Sequence, residues 1–359
     1  MNADFEEELA HSSVSYRRRS SFDALNRALA PNLLHLTRPG DALLFDQPWS
    51  DTLRSEAGRR EVELLSTKGS PPQTSHIFTP WGWTQDAIRM GEETGSIVRP
   101  IPIDIVARVN SKLWSFELEK ELGVSLRGSA ACSSFEELEQ AVKLACPARE
   151  DKWVIKSPFG FAARERVLGR GPTLDGPQAT WSKRRFAKGE SLLFEPWLDV
   201  IREYGVVIEI AADGAPSIQG ISDLQTNGAG TPKGYVLGRP PSPERIRELE
   251  TVARFVAGRL FEEGYHGPVG IDALEHTGGL RPLLEINARY TMGFVAVAVE
   301  RELRPSEPQF WSAKSVSKVQ GPPKSKVQSP KSASEPDASK PDAALGYRTA
   351  NPEPTNSET

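Results

Sequence analysis

Three oxygen-bearing side chains, Asp272, Glu285 and Asn287, have the types and spacing to hold a hard divalent cation. They sit on two strand-like runs, Pro268-Val269-Gly270-Ile271-Asp272-Ala273-Leu274-Glu275-His276 and Arg281-Pro282-Leu283-Leu284-Glu285-Ile286-Asn287. Thr277-Gly278-Gly279-Leu280 joins them, and a Gly-Gly pair between such runs signals a two-residue hairpin. With Gly278 and Gly279 as the turn, Asp272 falls directly opposite Glu285, and Asn287 lies on the same face. Carboxylates so placed have Cβ atoms roughly 5 Å apart. At an effective dielectric of about 20 they repel by roughly 3 kcal/mol. A bound cation reverses the sign of that interaction. Two carboxylates and an amide suit magnesium, which keeps waters and shares its sphere with phosphate oxygens. The competing reading has one acid facing solvent, or the register slipped.

The elements that must position these residues are of mixed α/β type. A helix immediately precedes the hairpin, with Ser242 as N-cap and Pro243 at its first position. Ile246, Leu249, Val252, Ala253, Val256, Ala257, Leu260 and Phe261 follow at helical spacing, and Gly264 ends the run. Residues 85–94, 115–122 and 134–144 also read as helices, the last entered through Ser133 or Ser134. Strands are expected at residues 42–45, 76–78, 153–156, 192–195 and 204–210.

In this arrangement the chain resembles the ATP-grasp superfamily of ATP-dependent carboxylate ligases. The resemblance rests on Asp272 with Glu285-Ile286-Asn287, followed by Ala288-Arg289, and covers about residues 100–300. It implies magnesium at Asp272, Glu285 and Asn287, with Arg289 reaching the terminal phosphate. It also implies a first nucleotide lysine at Lys112, in Asn110-Ser111-Lys112 before a helix, and a second at Lys156, ending a strand. The family's glycine-rich phosphate loop falls on Ser157-Pro158-Phe159-Gly160-Phe161-Ala162-Ala163-Arg164-Glu165-Arg166. This chain departs from the pattern there: Gly160 is the one glycine before Gly169, and Arg164 or Arg166 supplies charge instead. Glu195-Pro196-Trp197-Leu198 resembles the linker between the lobes, where the acid accepts from the adenine amino group. Because Pro196 has no N–H, the ring edge is expected at the backbone of Trp197 or Leu198. Glu203 matches the acid that binds the ribose hydroxyls.

The implied organisation is a flexible arm at 1–25, a small Rossmann-like domain at 26–105 and an ATP-grasp domain at 106–304. Within the last, the small lobe covers about 106–194 and the large lobe about 195–304. The Rossmann-like assignment rests on position rather than motif. Within it, Phe78-Thr79-Pro80-Trp81-Gly82-Trp83-Thr84 either lines the cleft or belongs to the core. Residues 305–359 read as a disordered tail, since the stretch from 321 is Pro, Ser, Lys, Asp and Ala. It is either a bare solvated tail or a tether for a protein partner.

Bulk properties narrow the function. A net charge of −4 over 359 residues argues against a nucleic-acid or anionic-membrane binder. No run of about 18 apolar residues occurs, and residues 1–19 carry no apolar stretch ahead of a cleavage site. Cys132 and Cys146 make no disulfide framework. A cytoplasmic protein is expected. The resemblance implies an ATP-dependent ligase for a small-molecule carboxylate and an amine or thiol, working through an acylphosphate. The alternatives are a non-catalytic ATP-binding module, motivated by the glycine-poor loop, and a small-molecule kinase.

Overall fold

In a computed structural model of the protein, residues 1–11, 16–45, 49–66, 76–160, 165–313 and 315–318 are described. Instead of a loose arm, the chain opens with two helices, α1 (Phe5–Ala10) and α2 (Ser20–Leu29). Phe5 and Leu9 share one face of α1 and enter the main core. The polar residues around them are paired with one another rather than solvated. Arg18 Nε donates to Asp4 Oδ2 at 2.7 Å, and Ala3 N–H donates to Asn26 Oδ1 at 2.8 Å. That pairing explains why a polar composition concealed a packed segment.

After a 3₁₀ helix at Ala30–Leu36 come β1 (Ala42–Leu44), α3 (Asp51–Arg59) and β2 (Glu63–Leu65). The two strands pair in parallel around α3. Among the described residues, the expected Rossmann-like domain reduces to this one β–α–β unit. The expected strand at 76–78 is a single bridge from Ile77 to Ile97. α4 (Gln85–Glu93), α5 (Ile103–Val109) and α6 (Lys112–Glu121) follow. Of the two candidate cleft tryptophans, Trp81 is core, packed with Leu237, Val295 and Trp311, and Trp83 packs partly buried against the main core.

β3 (Ala130–Cys132), α7 (Phe135–Ala145), β4 (Lys152–Lys156), β5 (Arg166–Arg170), α8 (Gly176–Phe186) and β6 (Leu192–Pro196) come next. The strands form an antiparallel sheet in the order β3-β6-β4-β5. Leu138 and Val142 of α7 pack against Trp153, Ile155, Leu192 and Phe194 on one face. Strand alternation therefore turns Lys156 and Glu195 to the opposite face.

The remainder is β7 (Val200–Ile210), β8 (Pro216–Thr226), β9 (Pro232–Leu237), α9 (Pro243–Glu262), β10 (Gly267–His276), β11 (Gly279–Asn287), α10 (Met292–Leu303), β12 (Gln309–Ser312) and β13 (Ser315–Lys318). Among the described residues they form one antiparallel sheet, ordered β11-β10-β7-β8-β9-β12-β13. α9 starts as its sequence predicts: Ser242 Oγ accepts from Arg245 N–H, and Pro243 follows. Its Leu249, Val252, Ala253, Val256, Ala257 and Leu260 lie on Tyr204, Val206, Ile208 and Ile271.

The sheet reaches beyond the boundary assigned to the tail. Gln309, Phe310 and Trp311 pair with Leu237, Val236 and Tyr235, because burying Trp311 supplies what the polar residues after it lack. Residues 319–359 lie outside the described residues, as do 12–15 and 161–164. The tail beyond Lys318 and Arg164 of the phosphate loop are therefore not placed. No described helix is long and apolar enough to cross a membrane.

Candidate functional site

Asp272 stands opposite Glu285, and Gly270 opposite Asn287. The route to this register differs from the one expected. His276 pairs with Gly279, so the turn is Thr277-Gly278, which alone would set Asp272 against Leu283. A bulge between Asp272 and Leu274 sets Ala273 against residues 282–284 and restores the pair. Pro282, which has no N–H for the ladder, sits in that bulge.

The hairpin is fixed from outside by the start of α6. Ile286 N–H donates to Ser115 Oγ at 3.1 Å, and Ala288 N–H donates to Asn110 Oδ1 at 2.8 Å. This docking delivers Lys112, whose Nζ donates to Glu285 Oε1 at 2.7 Å and to Gly160 O at 2.9 Å. Asp272 has no such cation. Burial, and then the charge of Glu285, push its carboxyl up to about 7, against the pull of Arg289 and of the Asn287 amide. Asn287 Nδ2 donates to Asp272 Oδ2 at 3.2 Å, and Asn287 Oδ1 accepts from Arg289 Nη2 at 3.0 Å.

A second, more deeply buried charge group forms where Arg281 of the hairpin meets α6 and the four-stranded sheet. Lys156 and Arg281 each hold one oxygen of Glu195, which is 2% exposed. Arg281 also forks onto Glu119, with Nε at 3.2 Å and Nη2 at 2.8 and 2.9 Å. Burial pushes the Glu195 carboxyl up, but Lys156 and Arg281 overrule it and hold it down at about 2. Glu119 goes the other way, to about 7, chiefly through burial and also through the Glu195 charge, against Arg281. Two acids share one guanidinium, and Glu195 has the lysine as well.

Glu203, on β7, shares a strand face with Gly205, the partner of Asp272. Its Oε1 accepts from Thr226 Oγ1 at 2.6 Å, and burial raises its pKa. Arg166 lies 5.8 Å from the centroid of the Trp197 ring and donates to Ala229 O. Arg289 is taken up by α1: Nε donates to Glu6 Oε1 at 2.9 Å, Nη2 also reaches Glu6, Nη1 donates to Tyr290 O at 3.0 Å, and the Phe5 ring lies 5.4 Å away.

No family model matches the sequence, and no curated protein matches it. Solved structures do. A biotin carboxylase from Campylobacter jejuni is 12% identical over 82% of this chain and 71% of its own, with a TM-score of 0.52. The biotin carboxylase domain of 2-oxoglutarate carboxylase from Hydrogenobacter thermophilus is 14% identical over 78% and 67%, with a TM-score of 0.50. Pyruvate carboxylase from Rhizobium etli is 14% identical over 76% of this chain and 26% of its own, with a TM-score of 0.51. This chain has the ATP-grasp fold.

The fold gathers most of the residues expected from sequence, with changed partners. Asp272, Glu285, Asn287, Lys112 and Gly160 come together at the hairpin. Gly160 turns its carbonyl, not its amide, to Lys112. Asn287 turns its nitrogen, not its oxygen, to Asp272, so joining a cation there requires the amide to rotate by half a turn. Each oxygen of the Glu195 carboxylate, expected to accept from the adenine amino group, is held by a cation that compensates its burial. Trp197 N–H donates to Lys152 O at 2.8 Å, which leaves Leu198 to supply the linker's donor. Sequence reasoning missed Glu6, Glu119 and Arg281. The readable signal for Arg281 was an arginine in the otherwise apolar run Leu280-Arg281-Pro282-Leu283-Leu284, a cation that needs a partner once buried.

Proposed function

We propose that this cleft binds ATP with magnesium and joins a small-molecule carboxylate to an amine through an acylphosphate. The observation that carries the reading is the half-buried, directly opposed pair Asp272–Glu285, of which Lys112 neutralises one member alone. The donor set fits a hard cation, because a second positive charge relieves the burial of Asp272. Asp272 and Glu285 would hold it, with Asn287 once its amide has turned. Magnesium supplies charge neutralisation on the phosphates.

The chain's own residues bind and orient. Lys112 and Lys156 meet phosphate oxygens, Glu203 faces the ribose hydroxyls, and Leu198 N–H meets the ring edge. Arg289 carries five N–H donors, of which four are used, leaving one for the acylphosphate. A carboxylate oxygen of the acid attacks the γ-phosphorus and the bond to ADP breaks. The amine nitrogen then attacks the acyl carbon, phosphate leaves, and the amine gives up a proton. Such chemistry needs positioning and charge rather than a protein nucleophile. The Hydrogenobacter neighbour was crystallised with magnesium ADP and bicarbonate, which supports a nucleotide beside a small acid in this fold.

Calorimetric titration with magnesium ATP, followed by a screen of acid and amine pairs, tests the proposal. ADP and phosphate released in equal amounts, with both acceptors required, is the expected result. AMP as product, or ADP release indifferent to acceptors, overturns it. A non-catalytic nucleotide-binding module is the second reading, favoured by one observation: Glu6 already neutralises Arg289. It predicts binding without turnover.

A further inference from the structure

Lys156 cannot serve a phosphate while it is the counter-ion of a buried carboxylate, unless something else takes over that carboxylate. Four charged side chains from four elements meet beside it: Glu119 of α6, Lys156 of β4, Glu195 of β6 and Arg281 of β11. Their formal charges sum to zero. Glu119 is 0% exposed and Arg281 4% exposed. We infer that Arg281 is a positioning residue for nucleotide binding: it holds the charge of Glu195, so that Lys156 is released to the phosphates. This rests on the proposed nucleotide site and adds a residue to it.

When Lys156 swings toward a phosphate, Glu195 keeps Arg281, which it shares with Glu119, the acid of the two that burial pushes toward its neutral form. Without Arg281, moving the lysine would strand an ionised carboxylate with no partner in the interior, which is strongly unfavourable. The planar fork suits the task. Nε and Nη2 hold Glu119, and the same Nη2 reaches Glu195, a division that the compact ammonium of a lysine makes poorly. Stability alone gives no reason for the cluster, because replacing buried ion pairs by apolar side chains of similar volume is often neutral or stabilising. An ion cluster kept beside the cleft therefore points to use rather than to cohesion.

The test removes Arg281 together with the acid it chiefly serves. In E119L/R281M the remaining Glu195–Lys156 pair is neutral, so the protein is expected to fold with a Tm near that of the wild type. Its affinity for magnesium ATP, read by calorimetry, should fall at least about tenfold, because the lysine is locked on Glu195. Adding E195Q to the double variant should then recover affinity to within about threefold of the wild type, a rescue that a merely structural role does not predict. A folded double variant that binds magnesium ATP as tightly as the wild type overturns the inference. So does a triple variant that recovers nothing. E119Q/R281Q carries the same expectations should the apolar pair fail to fold. If the wild type itself binds no nucleotide, the reading of the cleft fails. If it binds and the variants do not differ, the role of Arg281 alone fails.

Discussion

Two charge groups meet along β11, one around Arg281 and Glu195 and one around Asp272 and Glu285, and they are built in opposite ways. Around Glu195, two carboxylates meet two cations, and the ionised form of Glu195 is favoured strongly enough to hold its pKa at about 2. On the hairpin, Lys112 pairs with Glu285 alone, and Asp272 is pushed up to about 7 by burial and by its neighbour, against the pull of Arg289. Burial of charge is costly in both places. The first group brings its own compensation and can stand as part of the framework. The second has no cation paired with Asp272, and on the proposed reading the magnesium of the bound nucleotide supplies it. The deficit marks the binding end more sharply than any single residue type does.

Breaking the balanced group should have the largest effect. R281M alone leaves Glu119 and Glu195 with one cation between them, and should cost about 3–5 kcal/mol by urea denaturation. Relieving the unbalanced group should act in the opposite direction. D272N removes the uncompensated charge and should stabilise the protein by roughly 2 kcal/mol at pH 8, discounted from the full shift for local relaxation. The same variant should lose magnesium-dependent nucleotide binding in calorimetry. A variant that gains stability and loses its ligand is hard to explain by damage to the fold.

Acidity separates Asp272 from Glu195, while Glu119 is raised to about 7 as Asp272 is. Asp272 has a folded pKa of about 7, above its ordinary 3.8, so the folded state holds the extra proton between those values. Its contribution to stability therefore falls as pH rises toward about 7. Glu195 has a folded pKa of about 2, below its ordinary 4.5, so its contribution is present above 4.5 and is lost as pH falls through 2. Thermal melts should show that magnesium raises the Tm of the wild type more at pH 8 than at pH 5.5, where a proton competes for Asp272, and that D272N responds at neither. The smallest effect tests how the hairpin is held. S115A removes the acceptor for Ile286 N–H and should cost about 1 kcal/mol, with a modest loss of magnesium affinity in the same titration.

Much of the candidate site was readable from the chain because its logic is local. Strand alternation put Asp272, Glu285 and Asn287 on one face, and Ser242-Pro243 marked the helix before them. The opposed pair was anticipated through a turn placed one residue late, and the bulge at Pro282 made up the difference. What could not be read were partners distant in sequence. Arg281 and Glu119 are 162 residues apart, and Arg289 and Glu6 are 283 apart. The first ten residues looked solvated because their charges were counted singly, whereas in the fold Asp4 pairs with Arg18 and Glu6 with Arg289.

By itself, then, the sequence determined which side chains share a strand face, where the long helix begins and the order in which the lysines and acids come. Those properties depend on contacts within a few residues, which propensity and periodicity record. The tertiary structure alone decided which charges are paired: Lys156 with Glu195, Glu285 with Lys112 and Arg289 with Glu6, while Asp272 feels Arg289 only through space. A charge is indifferent to its partner while both are in water, and the cost of burial makes the choice only once the lobes and the N-terminal helix have closed around it.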